Sequence, residues 1–166
     1  MRITMLTTGG TIEKTYNEHD GSLRNAHTTL PQLLATFRLP DLDITTKQIL
    51  FKDSLEMTDE DREHIVAETS AAIASSDAIV ILHGTDTLDI TGELLHRRLK
   101  TLSIPVLLTG AMRPYEFRDT DALQNVTETL LAARLVEPGV YAVMHNRVLR
   151  FPGVVKNREL LCFERA

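Results

Sequence analysis

Threonine and aspartate side chains follow two short apolar runs of this 166-residue sequence, each time at a point where glycine interrupts the run. The first stretch is "TTGGT", which ends at Thr11, and the second is "HGTDT", which contains Thr85 and Asp86. A threonine hydroxyl is a weak nucleophile until a neighbouring base takes its proton. Hydroxyls, a carboxylate and a lysine are the groups that this sequence offers, and they suggest attack by an activated alcohol.

Other classes of site lack their sequence signatures. The sequence has no G-x-G-x-x-G after its first apolar run, no G-x-x-x-x-G-K-[ST] and no G-x-S-x-G. The six histidines show no metal-ligand spacing, and Cys162 is the single cysteine. We expect His83 to be a packed or hydrogen-bonded residue rather than a catalyst. We therefore expect neither a metal nor another cofactor.

Composition and charge restrict the partners and the location. A chain of this length fits one domain with a full core, and 43% hydrophobic and 25% charged residues are ordinary globular values. The 18 basic and 23 acidic residues give a net charge of −5 without a basic stripe, so a nucleic-acid partner is not expected. The sequence shows neither a signal-peptide core nor an apolar run of about 18 residues. We expect a cytoplasmic protein with no membrane partner.

Apolar runs alternate with helical patterns along the chain. The expected strands cover residues 1–7, 42–51, 77–84, 104–110 and 139–146. Between them lie helical patterns that begin near residues 28, 58, 88 and 122, and Thr58 with Asp61 forms a capping-box pattern. The polar segment 13–28 is predicted to be a mobile loop, and short strands are expected around Pro152 and Gly153. This alternation predicts an α/β layer sandwich with a mainly parallel sheet.

The polar stretches follow strands whose carboxyl ends should meet at one edge of the sheet. "TTGGT", "HGTDT" and "TGAMRP" come after the first, third and fourth strands, and ligands of open α/β sheets bind outside that edge. Taken singly, each stretch also fits turn or helix-cap chemistry, with Asp86 or Thr87 capping the next helix. Together they predict a shared crevice.

Five motifs resemble the bacterial-type L-asparaginase family in the same order along the chain. They are "TGGTI" at 8–12, "DSLEM" at 53–57, "HGTDT" at 83–87, "GAMRP" at 110–114 and "VVKN" at 154–157. The resemblance implies a flavodoxin-like three-layer α/β sandwich with a mainly parallel sheet. It also implies one asparaginase-like catalytic domain over residues 1–166.

The same resemblance assigns roles to individual residues. Thr11 would be the nucleophile that forms an acyl-enzyme, and Thr85, Asp86 and Lys156 would form a second group in the same pocket. Ser54 and Asp86 would hold the α-carboxylate and the α-amino group of the substrate, and the backbone of Ala111 would contact the scissile amide. The remaining implied residues are Gly10, Asp53 and Gly84 as substrate contacts and Tyr16 as the catalytic tyrosine. Chemistry alone does not choose between Thr11 and Thr85 as nucleophile.

The role of Lys156 has two interpretations in the sequence. It could act as a base only if burial lowered its pKa from about 10.4 towards about 7–8, and a nearby Asp86 would oppose that change. Lys156 is therefore either the base or the organiser of Thr85. A solvated surface lysine in the polar run "KNRE" is the simpler alternative.

The chain departs from the family pattern in three ways. Family members are usually about twice as long, so we expect this chain to lack the C-terminal domain that helps to complete a neighbouring subunit's site. Tyr16 is nearer to Thr11 than the usual spacing. Leu55 follows Ser54 where many members have a polar residue, which predicts a preference for asparagine over glutamine.

The leading hypothesis is hydrolysis of L-asparagine to L-aspartate and ammonia by a homo-oligomer. The first alternative is an amidase subunit of an amidotransferase. The second is a non-catalytic regulatory domain that binds an amino acid.

Overall fold

The computed structural model describes all residues from Met1 to Ala166. Its ten strands are Arg2–Gly9 (β1), Lys14–Tyr16 (β2), Leu23–Asn25 (β3), Asp43–Lys52 (β4), Ala78–Leu82 (β5), Pro105–Thr109 (β6), Gly139–Met144 (β7), Arg147–Arg150 (β8), Val154–Asn157 (β9) and Cys162–Arg165 (β10). Its four α-helices are Leu30–Ala35 (α1), Asp59–Ala72 (α2), Leu88–Arg98 (α3) and Ala122–Ala132 (α4). None of these helices is long and apolar enough to cross a membrane.

The main sheet has six strands in the order β4-β1-β5-β6-β7-β8. The first five are parallel, and β8 is antiparallel to β7. The parallel strands follow the flavodoxin-like order, in which the direction of winding reverses between β1 and the next parallel strand on its other side, β5. This topology confirms the predicted fold class and places the ends of β1 and β5 at the ligand-binding edge.

Helices cover both faces of this sheet. Neighbouring residues of β5 divide between two cores, with Val80 in the first and Ile81 in the second. The helix residues in these cores are Leu30, Leu33, Val126 and Leu130 in the first and Ile65, Leu88 and Leu95 in the second. Because β5 is covered on both sides, all of its residues are buried, as its continuous apolar sequence predicts.

Local signals in the sequence indicated the helices α2 and α4. Thr58 accepts a hydrogen bond from the Asp61 N–H, and the Asp61 carboxylate accepts one from the Thr58 N–H, so the predicted capping box is confirmed. The apolar spacing of Leu123, Val126, Leu130 and Leu131 indicated α4 in the sequence, and α4 covers these residues. Its buried face runs through Val126 and Leu130, whereas Leu123 and Leu131 are exposed.

The prediction of a loop over residues 13–28 was wrong. A short 3-10 turn at Thr11–Glu13 leads into an antiparallel hairpin of β2 and β3, in which Tyr16 pairs with Leu23. Hydrogen bonds from Ser22 to the Asp20 carboxylate hold the connecting turn. The two strands of this hairpin have only three residues each and lie in a polar segment. The sequence therefore showed no alternation of apolar residues that would indicate them.

The C-terminal segment forms the short strands that were predicted around Pro152 and Gly153. It packs against α3 through Phe151, whose ring lies against Gly92. A Cβ at Gly92 would lie only 2.1 Å from that ring. Val154 and Phe163 are also buried in this contact region. The anchoring of this segment places β9, and with it Lys156, beside the start of α3.

Candidate active site

Glycine residues allow the loops at the carboxyl edge of the sheet to touch. A Cβ at Gly10 would lie 2.5 Å from the Cα of Gly84, and a Cβ at Gly84 would lie 2.6 Å from the Cβ of Ser54. Gly10 also has a φ of 76°, a conformation that side chains disfavour. These contacts bring together the loops after β1, β4 and β5, of which the sequence analysis placed those after β1 and β5 in the shared crevice.

Lys156 joins the loop after β5 through two hydrogen bonds. Its Nζ donates to Thr85 Oγ1 at 2.8 Å and to Asp86 Oδ1 at 2.9 Å. The Lys156 side chain is only 7% exposed, and Thr85 is buried. The exposed Arg158 donates to the same Asp86 oxygen at 3.0 Å. The structure therefore brings together the predicted Thr85, Asp86 and Lys156, and the sequence reasoning missed Arg158.

The arrangement favours one of the two roles considered for Lys156. An ammonium group paired with a carboxylate donates hydrogen bonds and has no lone pair with which to accept a proton. With Lys156 as donor, the Thr85 hydroxyl can donate to Met112 Sδ at 3.6 Å. The geometry thus orients Thr85 and fits the organiser role better than the base.

Thr11 lies on the 3-10 turn that follows Gly10 and is partly exposed. The contact between Gly10 and Gly84 places its turn directly against the turn that bears Thr85. The hydrogen bonds of Lys156 Nζ go to Thr85 and Asp86 and do not reach Thr11. The two threonines thus lie on touching loops, but no bond connects their hydroxyls to a common base.

Two predicted residues use their polar groups within the protein. The Gly10 N–H donates to the Lys52 carbonyl at 3.0 Å, and the Gly10 carbonyl accepts from Asn25 Nδ2 at 2.9 Å. Asp53 accepts bonds from Lys14 Nζ at 2.6 Å and from the Leu55 N–H at 3.1 Å. Burial alone would raise the pKa of Asp53, but these donors outweigh it and lower the pKa. In the structure, the hydrogen bonds of both residues stabilise the loops in which they lie.

Ser54 presents a hydroxyl without a partner. The residue is 1% exposed, and its Oγ makes no hydrogen bond within the protein. Its carbonyl accepts a bond from Thr87 Oγ1 at 2.9 Å, which ties the loop after β4 to the loop after β5. A buried hydroxyl left without a partner is a donor available to an anionic group.

Tyr16 ends β2, the first strand of the hairpin that follows Thr11. Its side chain is exposed on β2, and its hydroxyl lies beside the hairpin turn, 3.7 Å from where a Cβ at Gly21 would be. The Tyr16 N–H donates to Glu116 Oε2 at 2.9 Å. The catalytic role of Tyr16 therefore stays a prediction.

Asp121, at the start of α4, holds the loop that contains Ala111. Its carboxylate accepts bonds at 3.0 Å from the backbone N–H groups of Met112 and Arg113, and His145 Nε2 lies 2.7 Å from it. Burial alone would raise the pKa of Asp121, but these contacts lower it overall. The buried backbone of Ala111 is therefore fixed by a carboxylate that the sequence reasoning missed.

Sequence comparison with known proteins identifies the family. The family model described as "Asparaginase, N-terminal" matches residues 2–161. The chain belongs to the asparaginase family. It is 34% identical over 149 residues to the L-asparaginase of Thermococcus kodakarensis, with 90% of this chain and 45% of that protein covered. It is also 32% identical over 146 residues to one subunit of that organism's glutamyl-tRNA(Gln) amidotransferase, with 87% of this chain and 33% of that protein covered.

A solved structure supports the same assignment. The thermostable L-asparaginase from Thermococcus kodakarensis matches with a TM-score of 0.91 over 99% of this chain and 51% of that chain, at 34% identity. This asparaginase-family chain therefore spans about half of that structure and less than half of the two relatives compared by sequence.

In this asparaginase-family chain, His83 packs under the loop that carries Thr85 and Asp86 and bonds to its backbone. It is fully buried, with Nδ1 2.8 Å from the Gly84 carbonyl and Nε2 2.9 Å from Thr91 Oγ1. Because a carbonyl only accepts, Nδ1 carries the hydrogen and Nε2 accepts from Thr91. Burial lowers the pKa of His83 to about 4. The prediction of a packed, hydrogen-bonded histidine is confirmed.

Glu13 is a third residue that the sequence reasoning missed. It is completely buried, and its carboxyl accepts a bond from Thr28 Oγ1 at the end of the hairpin segment, while Oε2 has no partner. Burial raises the pKa of Glu13, and the bond from Thr28 opposes that change only partly. This carboxyl ties the turn that bears Thr11 to the end of the hairpin segment.

Proposed function

We propose that this chain hydrolyses L-asparagine to L-aspartate and ammonia through an ester on Thr11. The proposal is carried by the hydrogen bonds from Lys156 to Thr85 and Asp86. The loop that bears Thr85 and Asp86 touches the loop of Thr11. The L-asparaginases among its relatives support asparagine as the substrate.

Substrate binding would use two of the groups described above. The buried Ser54 hydroxyl would donate to the α-carboxylate of the substrate. The carboxylate of Asp86 accepts both of its bonds at Oδ1, so Oδ2 is left to accept from the α-ammonium group. The ends of a free amino acid would thereby be recognised by one donor and one acceptor.

The chemical step would exchange the amide for an ester and then for an acid. The Thr11 oxygen bonds to the side-chain carbonyl carbon, and the C–N bond breaks. The hydroxyl proton ends on the departing nitrogen, which leaves as ammonia. Water then attacks the ester carbon, and its oxygen stays with the product aspartate while its proton restores the Thr11 hydroxyl. In both steps Lys156 and Thr85 would supply oriented hydrogen-bond donors.

The role of Tyr16 is part of the same proposal. Its exposed side chain would have to move from the hairpin turn towards Thr11 to assist the transfer of the proton. Tyr16→Phe should then lower the turnover number without changing the fold. An unchanged turnover number would remove Tyr16 from the mechanism.

Ammonia release by the purified chain tests the proposed reaction. Thr11→Ala should abolish release, and Thr11→Ser should retain part of it because a hydroxyl remains. Thr46→Ala, an exposed threonine on β4, is the matched control and should behave as the wild type. Unchanged activity of Thr11→Ala would contradict the proposal.

An amidase component of an amidotransferase is the second candidate. The similarity to one subunit of a glutamyl-tRNA(Gln) amidotransferase favours it. This function predicts ammonia release that depends on a second protein. Turnover by the isolated chain would favour the asparaginase instead, and binding of asparagine without turnover would favour a regulatory domain.

We further propose a cytoplasmic homo-oligomer whose site is completed by a neighbouring subunit. Thr11 is partly exposed in the single chain, so a neighbouring subunit would cover it. Sedimentation of the chain with and without asparagine tests the assembly. A monomer with full activity would contradict completion of the site by a neighbour.

A further inference from the structure

A separate cavity lies at the amino ends of the parallel strands, at the opposite end of the sheet from the candidate active site. It has a volume of about 800 Å³ and is lined by the end of α3, the segment that follows it and the start of β7. Gly139 begins β7, and Leu102 precedes β6 by three residues, so the cavity lies at the amino ends of these strands. It is therefore not part of the crevice formed at their carboxyl ends.

The charged lining of this cavity has only one sign. His96, Arg97, Lys100 and Arg150 line it, and no carboxylate does so. None of these four side chains takes part in a salt bridge. The chain as a whole has more acidic than basic residues, so a cavity with cations alone departs from its general charge pattern.

Arg150 is held in place before any ligand arrives. Its Nη2 donates to the Pro138 carbonyl at 3.2 Å, and its Cζ lies 5.8 Å from the centre of the Tyr141 ring. The guanidinium also lies over Gly139, where a Cβ would approach its Nε to 3.0 Å. Because the group is already ordered, less conformational entropy is lost when it binds an anion.

Helix-dipole compensation explains only part of this cluster. Basic residues commonly occupy the last turn of a helix, and His96 and Arg97 do so in α3. Lys100 lies beyond the end of α3, and Arg150 comes from β8, on a different element. The convergence of these two side chains on the same cavity requires another explanation.

We propose that this cavity binds a small anion that carries two or more phosphate groups. A single carboxylate would balance only one of the three permanent positive charges on Arg97, Lys100 and Arg150. A polyphosphate can pair with several of them. A guanidinium binds phosphate oxygens in a two-pronged geometry, and a lysine ammonium binds them as a point charge. The cavity volume is in the range of sites for small molecules and nucleotides.

Titration of the full chain with inorganic pyrophosphate tests this site. Calorimetry at low ionic strength should show saturable binding that an equal ionic strength of sodium chloride does not produce. Arg150→Gln and Lys100→Gln should each weaken binding about tenfold, through loss of one charge-assisted contact. Arg97→Gln is a third variant, for use if one of the others does not fold.

Arg98→Gln and Arg134→Gln are the matched controls, because each removes the same charge outside the cavity. Arg98 is paired with Glu63, and Arg134 lies near Asp41. Both should bind pyrophosphate within twofold of the wild type. Absence of saturable binding, or equal weakening in controls and cavity variants, would overturn the proposal.

A parallel titration with ATP identifies the source of the phosphates. Binding that is tighter than that of pyrophosphate and weakened by Arg150→Gln supports a nucleotide ligand. Equal affinity for both anions, with the same variant effect, supports recognition of the polyphosphate alone. ATP binding that Arg150→Gln leaves unchanged counts against the cavity.

Discussion

Lys156 on β9 donates a 2.8 Å hydrogen bond to the hydroxyl of Thr85, which lies 71 residues earlier in the chain. The bond exists because the C-terminal segment packs on α3 through Phe151 and Gly92. A buried amine is thereby fixed against the loop that follows β5. The geometry of this loop therefore depends on packing at the far end of the chain.

Replacement of Lys156 by Met should lower the turnover number by about 10²-fold or more, the lower end of what one positioned proton-transfer or donor group contributes. The change removes the donor to Thr85 and leaves Asp86 with Arg158 as its partner. Lys47→Met, at an exposed lysine paired with Glu68, is the control. Ammonia release measured for both variants checks this, and a near-normal rate for Lys156→Met would remove the lysine from the chemistry.

Gly10→Ala should destabilise the chain more than Gly153→Ala. Both glycines have positive φ, so each substitution carries a backbone penalty, which at Gly10, with ψ of −175°, is about 1–3 kcal/mol. At Gly10 a Cβ would also lie 2.5 Å from the backbone of Gly84, whereas at Gly153 nothing lies within 4 Å. The steric clash should add about 1–3 kcal/mol to the loss of unfolding free energy.

Chemical denaturation of these two glycine variants measures the difference. The same preparations should show lost ammonia release for Gly10→Ala and normal release for Gly153→Ala. Equal unfolding free energies would mean that the loops of Thr11 and Thr85 are not in close contact.

Stability should fall as the pH is lowered from about 6.5 to about 4 because of His83. Burial lowers its pKa from 6.5 to about 4, so the unfolded chain binds a proton that the folded chain refuses. The contribution is fully present above pH 6.5 and is lost as the pH falls to the folded value. A difference of about 2.5 pKa units corresponds to about 3 kcal/mol at most.

Urea unfolding at a series of pH values checks this effect. In His83→Gln, which has no titrating ring, the slope of the unfolding free energy against pH should become smaller by about one proton between pH 6.5 and 4. Equal slopes in the wild type and the variant would show that His83 does not titrate as its burial implies.

Leu55→Gln should raise activity on glutamine relative to asparagine. Leu55 follows the buried Ser54 and is exposed, so a glutamine side chain there has room to make a hydrogen bond to a longer substrate. The ratio of kcat/KM for the two amides, measured by ammonia release, is the test. A wild type that uses both amides equally would contradict the predicted preference for asparagine.

The sequence predicted the sheet because its strongest signals are local. β5 is a continuous apolar run, and Thr58 with Asp61 marks the start of α2, so neither required knowledge of distant residues. The hairpin of β2 and β3 was missed because three-residue strands leave too short a pattern to detect.

The site depends on contacts between distant residues, which local patterns do not encode. In the sequence, only the resemblance to a family predicted that Thr85, Asp86 and Lys156 lie in one pocket. Asp121 and His145 bond across 24 residues, and the buried Glu13 resembles any polar residue in a turn. A carboxylate directly before an apolar helix was the one signal that pointed to Asp121, and it also fits a simple helix cap.

Mass spectrometry of the chain quenched during turnover of asparagine tests the central claim most directly. The proposed mechanism predicts an aspartyl ester on the peptide that contains Thr11, and its absence from Thr11→Ala. An ester on Thr85 instead, or turnover by Thr11→Ala with no acylated threonine, would contradict it.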